Sequence, residues 1–169
     1  MTAKVQKLLN DSGVARWSAL VLIALMMFFA YMFVDVLSPL STLLETSKGW
    51  SAETYGTFCS SEYFLNVFAF FLIFAGIILD KMGIRFTGIL SAAVMVIGAS
   101  IKLYAISDLF TPENGLYRFL DSFWTSFPPT AKLASVGFMI FGCGVEMGGV
   151  TVSKAIAKWF KGKEMALAM

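Results

Sequence analysis

The chain has 169 residues, of which 58% are hydrophobic and only 14% are charged, with a formal net charge of +2. Because soluble domains usually carry about 25% charged residues, this composition indicates a membrane environment. The small net charge gives no reason to expect nucleic-acid binding. The absence of histidine excludes His-containing zinc motifs and Ser-His-Asp triads from this sequence.

Apolar runs separated by short polar connections predict an all-α membrane protein with four transmembrane helices and the start of a fifth. In chain order, the predicted segments are a cytoplasmic tail (residues 1–16), a first span (17–44), a second span (54–79), a cytoplasmic loop (80–86), a third span (87–106), an outer loop (107–130), a fourth span (131–156), an inner loop (157–164) and the start of a fifth span (165–169).

Several local features refine these predicted spans. The first apolar run is too long for a cleaved signal peptide, and Pro39 should bend its outer end. Ser51 is the expected N-cap of the second span, with Glu53 at the positive end of that helix. Lys102 lies near the end of the third span, where its amine is expected to reach the interface. The apolar run that follows Glu164 leads us to expect that further spans belong to the same protein.

The distribution of Lys and Arg predicts the orientation in the membrane. With four spans, nine of these residues fall on the side of the N-terminus and four on the other side. Because positively charged loops stay on the cytoplasmic side, the N-terminus is expected to be cytoplasmic. The predicted location is the cell membrane (the cytoplasmic or inner membrane), with a multi-pass topology.

Three carboxylates lie inside the predicted spans, namely Asp35, Glu62 and Glu146. Each charge at the centre of a bilayer costs about 2.5–3.5 kcal/mol on insertion scales, so such residues are expected to face a polar cavity, to pair with a cation or to be protonated. Tyr31 shares a helix face with Asp35, and Asn66 lies one turn from Glu62. These five residues are the candidate substrate or proton pathway.

Each of these carboxylates also has a structural interpretation. Asp35 and Glu62 would be structural if they paired with a cation such as Lys102. Glu146 lies among the glycines of the fourth span, which form small-residue faces for close helix packing. It would then be a polar contact in that seam. The small-residue positions are Gly142, Gly144, Gly148, Gly149 and Ser153.

Neither cysteine belongs to a CxxC motif, so no metal site or disulfide framework is predicted. Cys59 and Cys143 both fall within apolar segments and are expected to be small buried hydrophobic residues. No catalytic residue, metal ligand or cofactor is predicted for this chain, and an enzyme is not expected.

The most specific motif is GIILDKMGIR, which begins at Gly76 and ends at Arg85. Gly76 would permit close helix approach, and Gly83 would permit a turn that most residues disfavour. Asp80 is expected to lie beside Lys81 and Arg85, which would make the loop an ion-pair lock that opens as helices move. An ordinary charged loop is the alternative interpretation.

This segment resembles the signature loop between spans two and three of the major facilitator superfamily. The family pattern is G-x-x-x-D-[RK]-x-G-x-[RK], and all of its fixed positions are matched here by Gly76, Asp80, Lys81, Gly83 and Arg85. The resemblance implies a twelve-helix protein made of two six-helix halves, with alternating access to a central cavity. It also implies that Asp80 and Arg85 act in conformational gating.

A narrower resemblance lies between the predicted fourth and fifth spans. FGCGVE and KWFKGKE are similar to the branch that contains lysosomal dipeptide transporters and their bacterial relatives. The residues that carry this likeness are Glu146, Trp159, Phe160, Lys161, Gly162, Lys163 and Glu164. The chain departs from many family members at Phe138, which occupies the place of an arginine linked to proton coupling.

Together, these resemblances imply a secondary carrier for a small peptide, an organic anion or a sugar-like metabolite. Coupling of the solute to either H⁺ or Na⁺ is compatible with them. The partners implied are the solute, the lipid bilayer and the remaining helices of the same transporter. A non-transporting receptor or sensor on a carrier fold is the alternative function.

Overall fold

The computed structural model describes residues 12–169, and within this range every regular element is a helix. The predicted cytoplasmic tail, residues 1–16, therefore falls mostly outside the described residues. Three helical stretches are long and apolar enough to cross a membrane, as judged by length and composition over the described residues. They support a membrane-embedded protein, and they are Gly13–Lys48, Phe71–Ile106 and Pro129–Phe160.

The first of these stretches consists of two helices joined by a break. Helix α1 spans Gly13–Val34 and is capped by Ser12. A short 3₁₀ turn and helix α2 (Ser41–Lys48) follow Asp35. The break precedes Pro39, whose ring would collide with the carbonyl four residues earlier if the helix continued. The chain therefore ends one helix and starts another where the sequence predicted only a bend.

Helix α3 spans Ala52–Phe68, and the hydroxyl of Ser51 accepts a hydrogen bond from the Thr54 amide at 3.2 Å, which confirms the predicted N-cap. The helix ends at Phe68, and Phe70 then adopts a left-handed conformation with φ 51°. The predicted second span, residues 54–79, is therefore divided between α3 and the start of the next helix. The four-span count stays a prediction.

Helix α4 spans Phe71–Ile106 and contains one non-helical residue, Gly83, with φ 81° and ψ 171°. The predicted loop at residues 80–86 is therefore helical apart from this single interruption. A positive φ at this position was expected from the motif, because glycine adopts it without steric strain. The kink separates the part of α4 that follows α3 from the predicted third span.

Three helices complete the chain after α4. Helix α5 (Gly115–Asp121) is a short helix in the predicted outer loop, capped by Asn114. Helix α6 spans Pro129–Phe160, and the proline occupies a position in the first turn where its missing N–H causes no loss. Helix α7 (Met165–Ala168) is the last element.

Helix α6 is the centre of the packing. In its most apolar stretch 61% of the residues are buried, compared with 11% in the stretch that contains α1. Helices α1, α3, α4 and α5 all pack against it. The other helices therefore leave apolar faces exposed, as expected for a protein whose surroundings are lipid or further helices.

Glycines allow α4 and α6 to approach closely. A Cβ atom added at Gly98 would lie 2.6 Å from the carbonyl oxygen of Gly137, and one added at Gly144 would lie 2.8 Å from the Met95 amide nitrogen. The hydroxyl of Ser91 donates to the Gly144 carbonyl at 2.7 Å across the same interface. The predicted use of the α6 glycines in close packing therefore applies to Gly144.

Two other glycine predictions do not hold in this structure. In the described part of the chain, a Cβ atom added at Gly76 would have no neighbour within 4 Å outside the local helix backbone, and the same is true at Gly149. Gly76 therefore does not serve close helix approach among the described residues, contrary to the expectation from the motif. The prediction failed because a glycine permits close approach only when it lies on the side of its helix that faces another helix.

An ion pair joins the start of α1 to the segment after α6. The guanidinium of Arg16 donates to the Glu164 carboxylate at 3.0 Å and lies over the Phe160 ring. The backbone amide of Glu164 and then the Arg16 side chain hold the pKa of the Glu164 carboxyl below its usual value. Because the folded state binds this proton more weakly than the unfolded state, the contact should stabilise the fold above the ordinary carboxyl pKa.

This contact makes the stability of the fold depend on pH at the acidic end. We expect Glu164→Gln to lower the unfolding temperature slightly at neutral pH. The difference from the unmodified protein should shrink as the pH falls through the lowered pKa of the Glu164 carboxyl. Thermal unfolding in detergent, followed from neutral to acidic pH, measures the unfolding temperatures of the variant and of the unmodified protein. A difference that grew on acidification would contradict the assignment.

Candidate functional site

The polar residues predicted to form a pathway converge from several helices. We define the polar cluster as Tyr31, Asp35, Glu62, Tyr63, Lys102 and Glu146. Glu62 interacts electrostatically with Glu146, Lys102 and Asp35. Tyr63 interacts with Glu62, Glu146 and Tyr31. Residues at the end of α1 and on α3, α4 and α6 therefore share one electrostatic environment among apolar helices.

Glu62 is the most buried carboxylate of the polar cluster. Its residue is 5% exposed, and α3 brings it against α6 at Gly142. A Cβ atom added at Gly142 would lie 2.8 Å from the Glu62 Cγ atom. Among the described residues no Lys or Arg nitrogen lies within 4 Å of this carboxylate. Gly142 therefore provides the space for a buried acid that has no direct ion pair there.

Lys102 turns inward and does not reach the interface as predicted. The residue is 3% exposed, and its Nζ donates to the Phe33 carbonyl at 2.8 Å. This carbonyl belongs to the last turn of α1, where carbonyls lack partners within the helix. The break after α1 therefore creates an acceptor for the lysine.

Two aromatic rings of α6 also hold the Lys102 amine. The Nζ atom lies 4.5 Å from the ring centroid of Phe138 and 5.1 Å from that of Phe141. A cation over an aromatic face gains about 2 kcal/mol when it is desolvated. Lys102 interacts electrostatically with Glu62 and Asp35, but none of the ion pairs within 4 Å among residues 12–169 includes it. The polar cluster therefore has one buried cation among three carboxylates.

The other predicted pathway residues lie at the margin of the polar cluster. Asp35 and Tyr31 are exposed, and Glu146 is half-buried. Asn66 is half-buried, and its side-chain nitrogen donates to the Glu62 carbonyl at 3.5 Å. Its Oδ1 atom is buried and finds no hydrogen-bond partner among residues 12–169. The polar cluster therefore has a buried end at Glu62 and an exposed end at Asp35.

The predicted gating segment has a different ion pair from the expected one. Asp80 accepts from the Lys154 Nζ atom at 2.5 Å, so α4 is tied to α6. The expected partners, Lys81 and Arg85, form no ion pair within 4 Å among the described residues. The sequence placed Asp80 and Arg85 in one tight loop, whereas the chain between them is helical up to a non-helical turn at Gly83.

Neither a metal site nor a family assignment emerges from these observations. Residues 12–169 contain no group of three Cys, Asp or Glu side chains arranged to hold a metal ion. Comparison of the chain with protein-family models, with curated proteins and with solved structures gave no match. The polar cluster and the segment at residues 76–85 are therefore the features of the chain that bear on its function.

Proposed function

We propose that this chain forms part of a secondary carrier that moves a small organic solute across a membrane by alternating access. The solute classes that we consider are a small peptide, an organic anion and a sugar-like metabolite. Coupling to H⁺ or Na⁺ belongs to the same proposal, with the polar cluster as the place where the ion would act.

The observation that carries this proposal is the convergence of four ionisable side chains, two of them buried, from different apolar segments of the chain. Each charged group at membrane depth costs about 2.5–3.5 kcal/mol on insertion scales, and packing alone would be satisfied by hydrophobic residues of similar volume. Glu62 nevertheless interacts electrostatically with Asp35, Glu146 and Lys102, and Lys102 also interacts with Asp35. Ionisable groups in such positions are characteristic of solute and ion pathways.

The segment between Gly76 and Arg85 supports the conformational part of the proposal. Its sequence resembles the signature loop of the major facilitator superfamily. Asp80 in this segment forms an ion pair with Lys154 that joins α4 to α6. Exposed ion pairs contribute little to stability, so this contact can break and re-form at small energetic cost. A contact of this kind suits a switch between two arrangements better than a permanent structural tie.

Neutralising the carboxylates tests the proposal. We expect Asp35→Asn and Glu62→Gln to abolish uptake of the transported solute into proteoliposomes, because the polar cluster would lose its ability to hold a cation or a cationic group. Glu113→Gln and Asp121→Asn, which change exposed carboxylates outside the polar cluster, should leave uptake unchanged. Radiolabelled dipeptides, dicarboxylates and hexoses are the solutes to be compared.

Three results would count against parts of this proposal. Unchanged uptake in both cluster variants would remove the polar cluster from the pathway. Equal losses in the cluster variants and the exposed-carboxylate variants would indicate a general effect on the protein. Solute binding without flux in the unmodified protein would favour a receptor or sensor on a carrier fold.

A further inference from the structure

A crevice with a volume of about 600 Å³ lies where the kink of α4 meets α1 and the end of α6. Its inner wall is apolar and includes Leu22, Ile23 and Met82. Arg85, Lys158 and Trp159 also line it. An apolar wall combined with two cations and an indole ring is a surface for an amphiphile.

The backbone at Gly83 shapes this crevice. Gly83 lines it together with its neighbours, and its extended ψ at positive φ interrupts α4 at this point. Met82 and Arg85, on either side of the kink, both line this opening, so a cation and an apolar side chain of the same helix meet there.

The positive charge of the crevice is not neutralised by nearby acids. Asp80 is paired with Lys154, and Glu164 is paired with Arg16. Among the described residues, Arg85 and Lys158 form no ion pair within 4 Å, and both side chains belong to exposed residues. An anion that entered the crevice would therefore meet two cations that do not already have an acidic partner in this part of the chain.

The combined chemistry selects one kind of occupant. A small soluble anion would use the cations but would leave the apolar wall uncovered. A neutral lipid would cover the wall but would not use the cations. Basic residues next to a membrane surface attract anionic lipids by about 1 kcal/mol each, and Trp is enriched at the level of the headgroups.

We propose that this crevice binds an anionic phospholipid, with the phosphate between Arg85 and Lys158 and an acyl chain along Leu22 and Ile23. The site is separate from the polar cluster and does not depend on the transport activity proposed above. It would anchor the kink of α4 and the end of α6 to the same lipid molecule.

Lipid binding to the purified protein in detergent tests this proposal. We expect phosphatidylglycerol to bind more tightly than phosphatidylcholine with the same acyl chains, as measured by native mass spectrometry titration. The double variant Arg85→Gln/Lys158→Gln should weaken phosphatidylglycerol binding by about 30-fold, from two charges at about 1 kcal/mol each. Its binding of phosphatidylcholine should not change.

The matched control is Lys81→Gln/Lys161→Gln, which removes two exposed charges near the crevice that do not line it. This control should retain the preference for phosphatidylglycerol. Equal binding of the two lipids by the unmodified protein would overturn the proposal without any variant. An equal loss in both double variants would indicate diffuse attraction, and full displacement by glycerol 3-phosphate would indicate an anion site without a lipid chain. Either result would also overturn it.

Discussion

Replacing Lys102 by Met is expected to reduce solute uptake by at least about 30-fold while the protein still inserts and folds. Methionine keeps an unbranched side chain that is one atom shorter, and it removes the only cation of the polar cluster. Lys102 forms no ion pair within 4 Å among the described residues, so the factor is taken from the low end, about 2 kcal/mol, of the cost of removing a buried charge partner. The carboxylates of Glu62 and Asp35 would lose the cation with which they interact.

The expected effect on folding is much smaller than the effect on uptake. The substitution removes one hydrogen bond to the Phe33 carbonyl, worth about 1 kcal/mol, and contacts with two aromatic rings. It also removes the cost of desolvating a charge. Ser100→Ala is a suitable control, because this exposed hydroxyl bonds only within its own helix among the described contacts.

The double variant Glu62→Gln/Lys102→Met distinguishes an electrostatic interaction from two independent roles. Because Glu62 and Lys102 interact electrostatically, the loss of stability in the double variant should be smaller than the sum of the single losses. Chemical denaturation in detergent measures this coupling. Strict additivity, or normal uptake by Lys102→Met, would contradict the role assigned to the lysine.

Replacing Gly98 by Ala is expected to cause the largest loss of stability among single-methyl substitutions in α4. The new Cβ atom would lie 2.6 Å from the carbonyl oxygen of Gly137 and even closer to the backbone of Phe141. These neighbours are backbone atoms, so they cannot move aside as a flexible side chain would. Helices α4 and α6 would have to separate, at a cost of about 1–3 kcal/mol or more.

Gly76→Ala is the matched control, since it adds the same methyl group to the same helix. Beyond the local helix backbone, no atom of the described residues lies within 4 Å of the added carbon at this position, and alanine is the better helix former by about 1 kcal/mol. Unfolding temperature and yield in detergent should therefore fall for Gly98→Ala and stay constant or rise for Gly76→Ala. Equal effects of the two substitutions would contradict the packing described here.

Local sequence patterns predicted several features that the structure contains. The apolar runs predicted helices because a bilayer leaves no other way to satisfy backbone hydrogen bonds along a single segment. Ser51 begins α3 as an N-cap, and Gly83 adopts a positive φ. Each of these features depends on the residue itself and a few neighbours, so sequence alone was sufficient to predict it.

The break between α3 and α4 had no comparable local pattern. Phe70 adopts a left-handed conformation with φ 51°, which carries a steric cost for a residue other than glycine. No glycine or proline marks the position. Such a conformation persists only when the surrounding packing compensates for its strain, so the predicted second span was continuous where the structure is not.

The sequence by itself determined that this chain is helical and apolar enough for a membrane, and that it carries three carboxylates within its apolar segments. Only the tertiary structure decided that Lys102 points inward, that Asp80 pairs with Lys154 and that Gly98, but not Gly76, lies against α6. Hydropathy and helix capping depend on residues that are close together in the sequence. The partner of a side chain on a long helix depends on how that helix is rotated against others that are distant in sequence.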